Sequence, residues 1–273
     1  MAVDPKKPRK ILVVHGVQAG TDEDIDSDKK IKELVISRLA GTPVQFDTDI
    51  YKYENINDAA QEKLKKVLNY FSQALTSQTI LGGLLGKLVE SGVDLIGDVV
   101  ISLKDGDTAK IIIKGLIEKI EKIYEEGNPL YLVAHSLGSI YSFDAINQLI
   151  KNDNGYFDRN NRKTWPVQAL VTMGSPIGLA MFNRNHVEEF GHGQKFFRWI
   201  NYWARTDPVV TGSFYGKPQE GYQIAEKFTV NAETSGWFIQ DRVVDIGKAW
   251  LMAHISYWDH PGIGDDLATL ITS

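Results

Sequence analysis

The stretch Leu130-Tyr131-Leu132-Val133-Ala134-His135-Ser136-Leu137-Gly138 constrains this chain more than any other. Four apolar residues follow the turn signal Gly127-Asn128-Pro129 and read as a buried strand. After Gly138, apolar residues recur at Ile140, Phe143, Ile146, Leu149 and Ile150, which is helical spacing. Between strand and helix stands Ser136, with small residues two positions away on both sides, Ala134 and Gly138. A strand, a serine turn and a helix in that order form a nucleophile elbow, a sharp turn that holds the hydroxyl clear of the backbone. Small flanking residues are required because such a turn brings neighbouring main chain close. The bland alternative is a serine that caps a helix; the strand before it favours the elbow.

Other apolar runs extend the pattern. Residues 11–14 are β-branched or leucine and end in His15-Gly16. Residues 44–53, 169–172, 196–204 and 227–230 read as further strands, the last of them as the final strand. Residues 58–75 and 108–126 carry helical periodicity. Strands alternating with helices predict an α/β fold: a mostly parallel, doubly wound sheet in one domain spanning 1–273. In such sheets functional residues gather beyond the carboxyl ends of the strands. His15-Gly16, Ser136, Gly174-Ser175 and Asp207 all fall just after strand candidates.

A serine hydroxyl needs a base to take its proton and an acid to orient that base. In an elbow-bearing sheet the order along the chain is serine, acid, histidine. Of the six histidines, His15 and His135 precede Ser136, and His186 and His192 precede the best acid. His254 is preferred over His260, which stands before Pro261 and reads as a turn residue. Asp207, followed by Pro208 after the aromatic strand, is the preferred acid, with Asp241 and Asp245 as rivals. The developing oxyanion needs fixed N–H donors. The residue after the serine, Leu137, supplies one, and the loop after the first strand supplies the other, at Val17.

These segments together resemble the α/β-hydrolase superfamily, in its lipase and esterase branches. The matching parts are Val14-His15-Gly16, Ala134-His135-Ser136-Leu137-Gly138, Met173-Gly174-Ser175-Pro176, Asp207-Pro208-Val209 and His254, spread from Ile11 to about Trp258. Gly97-Asp98-Val99-Val100, Ser136-Leu137-Gly138-Ser139 and Phe143-Asp144 are similar to intracellular phospholipases and related bacterial hydrolases. Two departures are that Ala134 replaces the commoner glycine, and that residues 230–254 exceed the usual strand-to-histidine length. The resemblance implies cleavage of carboxylic esters through an acyl-enzyme on Ser136, without cofactor or metal. Acyl transfer, thioester or amide cleavage would use the same parts, and a non-catalytic binding protein could share the scaffold.

The apolar segment 80–103 is interrupted by Lys87, Glu90, Asp94 and Asp98, which argue against a membrane span. The charges line one helical face; Leu84, Leu85, Leu88, Val89, Leu95, Ile96 and Val99 line the other. Residues 76–106 are therefore expected to form a helical insert before the nucleophile strand. It is either a lid that offers Leu84 and Leu88 to a lipid-like ester substrate or a core hairpin.

A net charge of −5 and one short basic run, Lys6-Lys7-Pro8-Arg9-Lys10, read as a solvated tail, make nucleic acid an unexpected partner. The absence of cysteine excludes thiol catalysis and cysteine-bound metal. With no secretory signal pattern, a cytoplasmic location is expected, with lipid contact at most peripheral. Asp22, Asp24, Asp26, Asp28 and Glu33 fall at calcium-loop spacings, but Ser27 stands at the turn glycine. A solvated acidic loop leading into a helix at Ile31 is the expectation. Residues 82–87 lack the spacing of a phosphate loop.

Overall fold

The apolar runs become strands that pair side by side in parallel. They are β1 (Arg9–Val14), β2 (Phe46–Tyr51), β3 (Leu130–His135), β4 (Ala169–Met173), β5 (Phe197–Trp203) and β6 (Trp237–Val243). They form one sheet in the order β2-β1-β3-β4-β5-β6, with every adjacent pair parallel. This computed structural model describes residues 3–16, 26–39, 41–52, 106–152, 156–158, 162–184, 186–190, 197–213, 223–248 and 251–273, with side chains left aside at 163, 229–234 and 251.

A parallel sheet must be covered on both faces, so its strands are apolar on both. Along β1, Leu12 and Val14 enter one core layer, and Ile11 and Val13 enter the other. β3 divides likewise, with Leu132 and Ala134 on one face and Tyr131 and Val133 on the opposite one. The first layer is filled by α2 (Asp107–Glu125) and α3 (Leu137–Lys151) through Ile112, Leu116, Ile120, Ile140 and Tyr141. The second is filled by α1 (Ser27–Ile36) and α7 (Pro261–Thr272) through Ile31, Val35, Ile263, Leu267 and Ile271. Full burial of one such Ile or Leu contributes about 1.5–3 kcal/mol, so the two layers hold the sheet rigidly from both sides. Among the described residues no helix is long and apolar enough to cross a membrane.

The strand order places the site. From β1 the chain goes outward to β2, then returns to lay β3 on the other side of β1. The connections leaving β1 and β3 therefore diverge, and it is beyond the carboxyl ends of strands at such a reversal that open parallel sheets hold their sites. His15-Gly16 follows β1 there, and Ser136 follows β3.

Three expectations change. Residues 227–230 are not the last strand. They lie within the helix α5 (Ile224–Ser235), and the last strand is β6. Phe228 and Thr229 suit a strand by type, but Ile224 and Phe228, four apart, are buried together on one helical face. Gly236, at φ 82°, then ends the helix. This moves the end of the last strand to Val243, so the path to His254 is short. The basic run is also only partly a solvated tail: Arg9 and Lys10 open β1, where Arg9 Nε donates to the Ile271 carbonyl and Lys10 pairs with Asp47 at 3.1 Å. Finally, α1 begins at Ser27 rather than near Ile31, and Asp26 pairs with Lys29 at 2.7 Å. Asp22 and Asp24, the expected helix 58–75, segment 82–87, and the insert 76–106 up to residue 105, with Leu84 and Leu88, lie outside the described residues.

Candidate active site

Ser136 is the single residue between β3 and α3, with φ 54° and ψ −130°. This region is rare for a residue with a side chain and costs of order 1–3 kcal/mol. Its neighbours hold it there. The Ser136 N–H donates to the Met173 carbonyl at 3.0 Å, continuing the ladder past β3. Ser139 Oγ donates to the Ser136 carbonyl at 2.5 Å and is hydrogen-bonded to Ser175 Oγ at 2.6 Å.

The tightness of the turn explains the small residues. A Cβ at Gly138 would lie 2.3 Å from the Val14 carbonyl oxygen, and one at Gly16 would lie 2.5 Å from Ser136 Cβ. Both are backbone or near-backbone atoms that cannot swing away. The Gly16 position also lies beside Leu137 N, 2.9 Å from where its Cβ would be. As the first residue of α3, Leu137 has no carbonyl within its own helix to bind. Its N–H stands at the positive end of α3, suited to a developing negative charge. Val17, the other expected donor, lies outside the described residues.

The structure brings His254 and Asp207 to Ser136. His254 lies in the short helix α6 (Leu251–Ile255), and Asp207 caps α4 (Pro208–Thr211). His254 Nε2 is 2.9 Å from Ser136 Oγ, and His254 Nδ1 is 2.9 Å from Asp207 Oδ2. An ionised carboxylate only accepts, so the network assigns the proton to Nδ1 and leaves Nε2 free to accept from the serine. All three residues are buried. Gly174, at φ 56°, makes room for the imidazole: a Cβ there would lie 3.0 Å from His254 Nδ1.

Asp207 is held on every side. Oδ1 accepts the N–H of Val209 at 2.9 Å and of Val210 at 3.4 Å, and Oδ2 accepts the Tyr257 hydroxyl at 2.9 Å. Burial opposes its charge, but the electrostatic attraction of the His254 ring and its hydrogen bond, then the hydrogen bonds from Tyr257 and Val209, outweigh it and hold the carboxyl below the usual aspartate range. The Asp-Pro pair is thus a turn and a site at once: Pro208 opens α4, while Asp207 caps it and faces His254.

The rivals are engaged elsewhere. Asp241 accepts from Asn201 Nδ2 at 2.7 Å and from the Ala225 N–H at 2.8 Å. Asp245 is exposed and accepts from the Gly247 N–H. His260 caps α7 through the Gly262 N–H at 3.2 Å.

Two residues at the centre were not singled out from sequence. The His135 ring lies 4.7 Å from the His254 ring, and its Nε2–H donates to the His254 carbonyl at 2.7 Å. Its Nδ1 has no hydrogen-bond partner among the described residues. Burial first, then the nearby His254 charge, pushes it down to about 3, so it stays neutral. As the last residue of β3 it lies directly beside Ser136, and its ring packs against His254 and Trp258. The other is Tyr257, three residues after His254 and one turn away in the 3-10 helix Tyr257–Asp259.

No group of histidine, cysteine, aspartate or glutamate side chains among the described residues is arranged to hold a metal ion. No protein-family model matches the chain, and no curated protein matches it.

Proposed function

We propose that this chain is a serine hydrolase of the α/β-hydrolase type that cleaves carboxylic esters without a cofactor. The observation that carries the reading is the line Ser136 Oγ, His254 and Asp207, joined by two 2.9 Å hydrogen bonds at the carboxyl end of a parallel sheet. In this reading Ser136 Oγ attacks the ester carbonyl carbon while His254 Nε2 takes its proton. Asp207 stabilises the imidazolium without taking the proton itself. The Leu137 N–H receives the oxyanion, with Val17 as the second donor expected from the sequence, and one such donor contributes about 3–4 kcal/mol to the transition state. Collapse expels the alcohol, which leaves with the proton from Nε2, and an acyl group remains on Ser136. His254 then takes a proton from water, the hydroxide adds, and the carboxylic acid leaves as Ser136 regains its proton.

The preference for esters is supported by the lipase-like motifs and by the apolar sequence of segment 80–103, which includes Leu84 and Leu88. A panel of p-nitrophenyl esters of increasing chain length, beside the matching anilides, tests it. Esters should be turned over in preference to anilides, with all turnover lost in Ser136→Ala. Faster cleavage of the anilides, or no cleavage of any ester, counts against the assignment.

A further inference from the structure

We infer that Tyr257 is a positioning residue of the same site, setting how strongly Asp207 holds the proton of His254; the inference rests on the hydrolase reading. The Tyr257 hydroxyl donates to Asp207 Oδ2 at 2.9 Å, the oxygen that also receives His254 Nδ1–H. Its direction is fixed from behind, because the Ala204 N–H donates to the same hydroxyl at 2.9 Å. That bond occupies the phenol's acceptor side and leaves its proton aimed at the carboxylate. Burial, then the Asp207 charge and hydrogen bond, pushes the phenol far up, so it remains a donor at every working pH.

Two donors on one carboxylate oxygen compete. The Tyr257 proton draws charge from Oδ2, so Asp207 holds the His254 imidazolium proton less tightly. It also fixes the carboxylate rotation that serves His254. The ionisable groups facing the pair are His135, at the end of β3, and Tyr257, with His15 acting only on His135 and the Ser136 hydroxyl on the far side of the imidazole. Of these, Tyr257 alone contributes a proton to Asp207 besides His254.

The two roles separate by sign. Removing the donor in Tyr257→Phe leaves a more basic carboxylate, a more tightly held imidazolium proton, and an acid limb of the rate profile moved to higher pH. Placing 3-fluorotyrosine at 257 keeps the shape and strengthens the donor, moving the limb to lower pH. Loss of this hydrogen bond is expected to move the limb by about half a pH unit or more, and strengthening it to move the limb by less in the opposite sense. The readout is the second-order inactivation rate by a fluorophosphonate against pH, for the wild type and both variants, with near-UV circular dichroism reporting folding. Opposite shifts of the acid limb are expected, with a roughly tenfold lower plateau in Tyr257→Phe. If that variant does not fold, the fluorinated protein alone decides. An acid limb common to all folded forms, whatever the plateau, overturns the role of Tyr257. Absence of Ser136-dependent labelling in the wild type instead overturns the hydrolase reading, and this inference with it.

Discussion

His254 Nε2 stands 2.9 Å from Ser136 Oγ although 118 residues separate the two along the chain. The sheet makes this meeting, because β3 delivers the serine, the segment after β5 delivers Asp207, and the segment after β6 delivers His254, all at the same end. The direction of the proton across that gap depends on the tautomer that Asp207 imposes.

Asp207→Asn removes that control. The amide presents an N–H where the carboxylate accepted, so the imidazole turns its proton to Nε2 and cannot accept from the serine. Ester turnover is expected to fall roughly 10³- to 10⁴-fold, with the near-UV circular dichroism unchanged. Turnover within tenfold of the wild type contradicts the role given to Asp207.

Ser136 holds a backbone conformation, φ 54° and ψ −130°, that glycine adopts without strain. Ser136→Gly and Ser136→Ala both remove the hydroxyl, but only the first releases the strain. In urea unfolding, Ser136→Gly is expected to be about 1 kcal/mol more stable than Ser136→Ala. Equal stability, or a more stable alanine variant, argues against strain at the elbow.

Gly138→Ala places a methyl 2.3 Å from the Val14 carbonyl oxygen, where both partners are main chain and neither can rotate aside. α3 must move away from β1, at a cost of about 1–3 kcal/mol. The displaced Leu137 N–H and Ser136 hydroxyl should also lower ester turnover. An unfolding midpoint in urea unchanged by the substitution would show that the approach is looser than the distance implies.

His135 gives acid sensitivity a defined window. Its folded-state value of about 3 lies below the ordinary 6.5. Between these values the unfolded chain is protonated at this site and the folded chain is not. Stability is therefore lost as pH falls from 6.5 towards 3, by at most about 1.4 kcal/mol per pH unit. Asp207, with its value depressed, stabilises above the ordinary 3.8 and adds a loss only as pH falls below it. His135→Gln retains a donor for the His254 carbonyl but cannot titrate. Its stability, measured by urea unfolding at pH 6.5, 5.5 and 4.5, should decline less steeply than that of the wild type. Parallel declines would remove His135 as the cause.

The strands were legible where burial on both faces forced continuous apolar runs, as at Ile11 to Val14 and Leu130 to Val133. The stretch 227–230 misled because residue type suggested a strand, while the buried pair Ile224 and Phe228 and the terminating Gly236 specify a helix. Ser136 could be read from its local setting, since the turn demands the small residues that flank it. Asp207 and His254 were reached through chain order, and their distances come from the fold. His135 and Tyr257 are not legible in the sequence because their partners are remote, 119 and 50 residues away along the chain. No local pattern encodes such a bond; it exists only once the sheet aligns its loops.

The most direct measurement of the central claim is intact-mass and peptide mapping after a fluorophosphonate probe, for the wild type beside Ser136→Ala. One adduct on the wild type, located on Ser136 and absent from the variant, is the predicted result. Equal labelling of both proteins, or labelling of neither, would contradict Ser136 as the nucleophile.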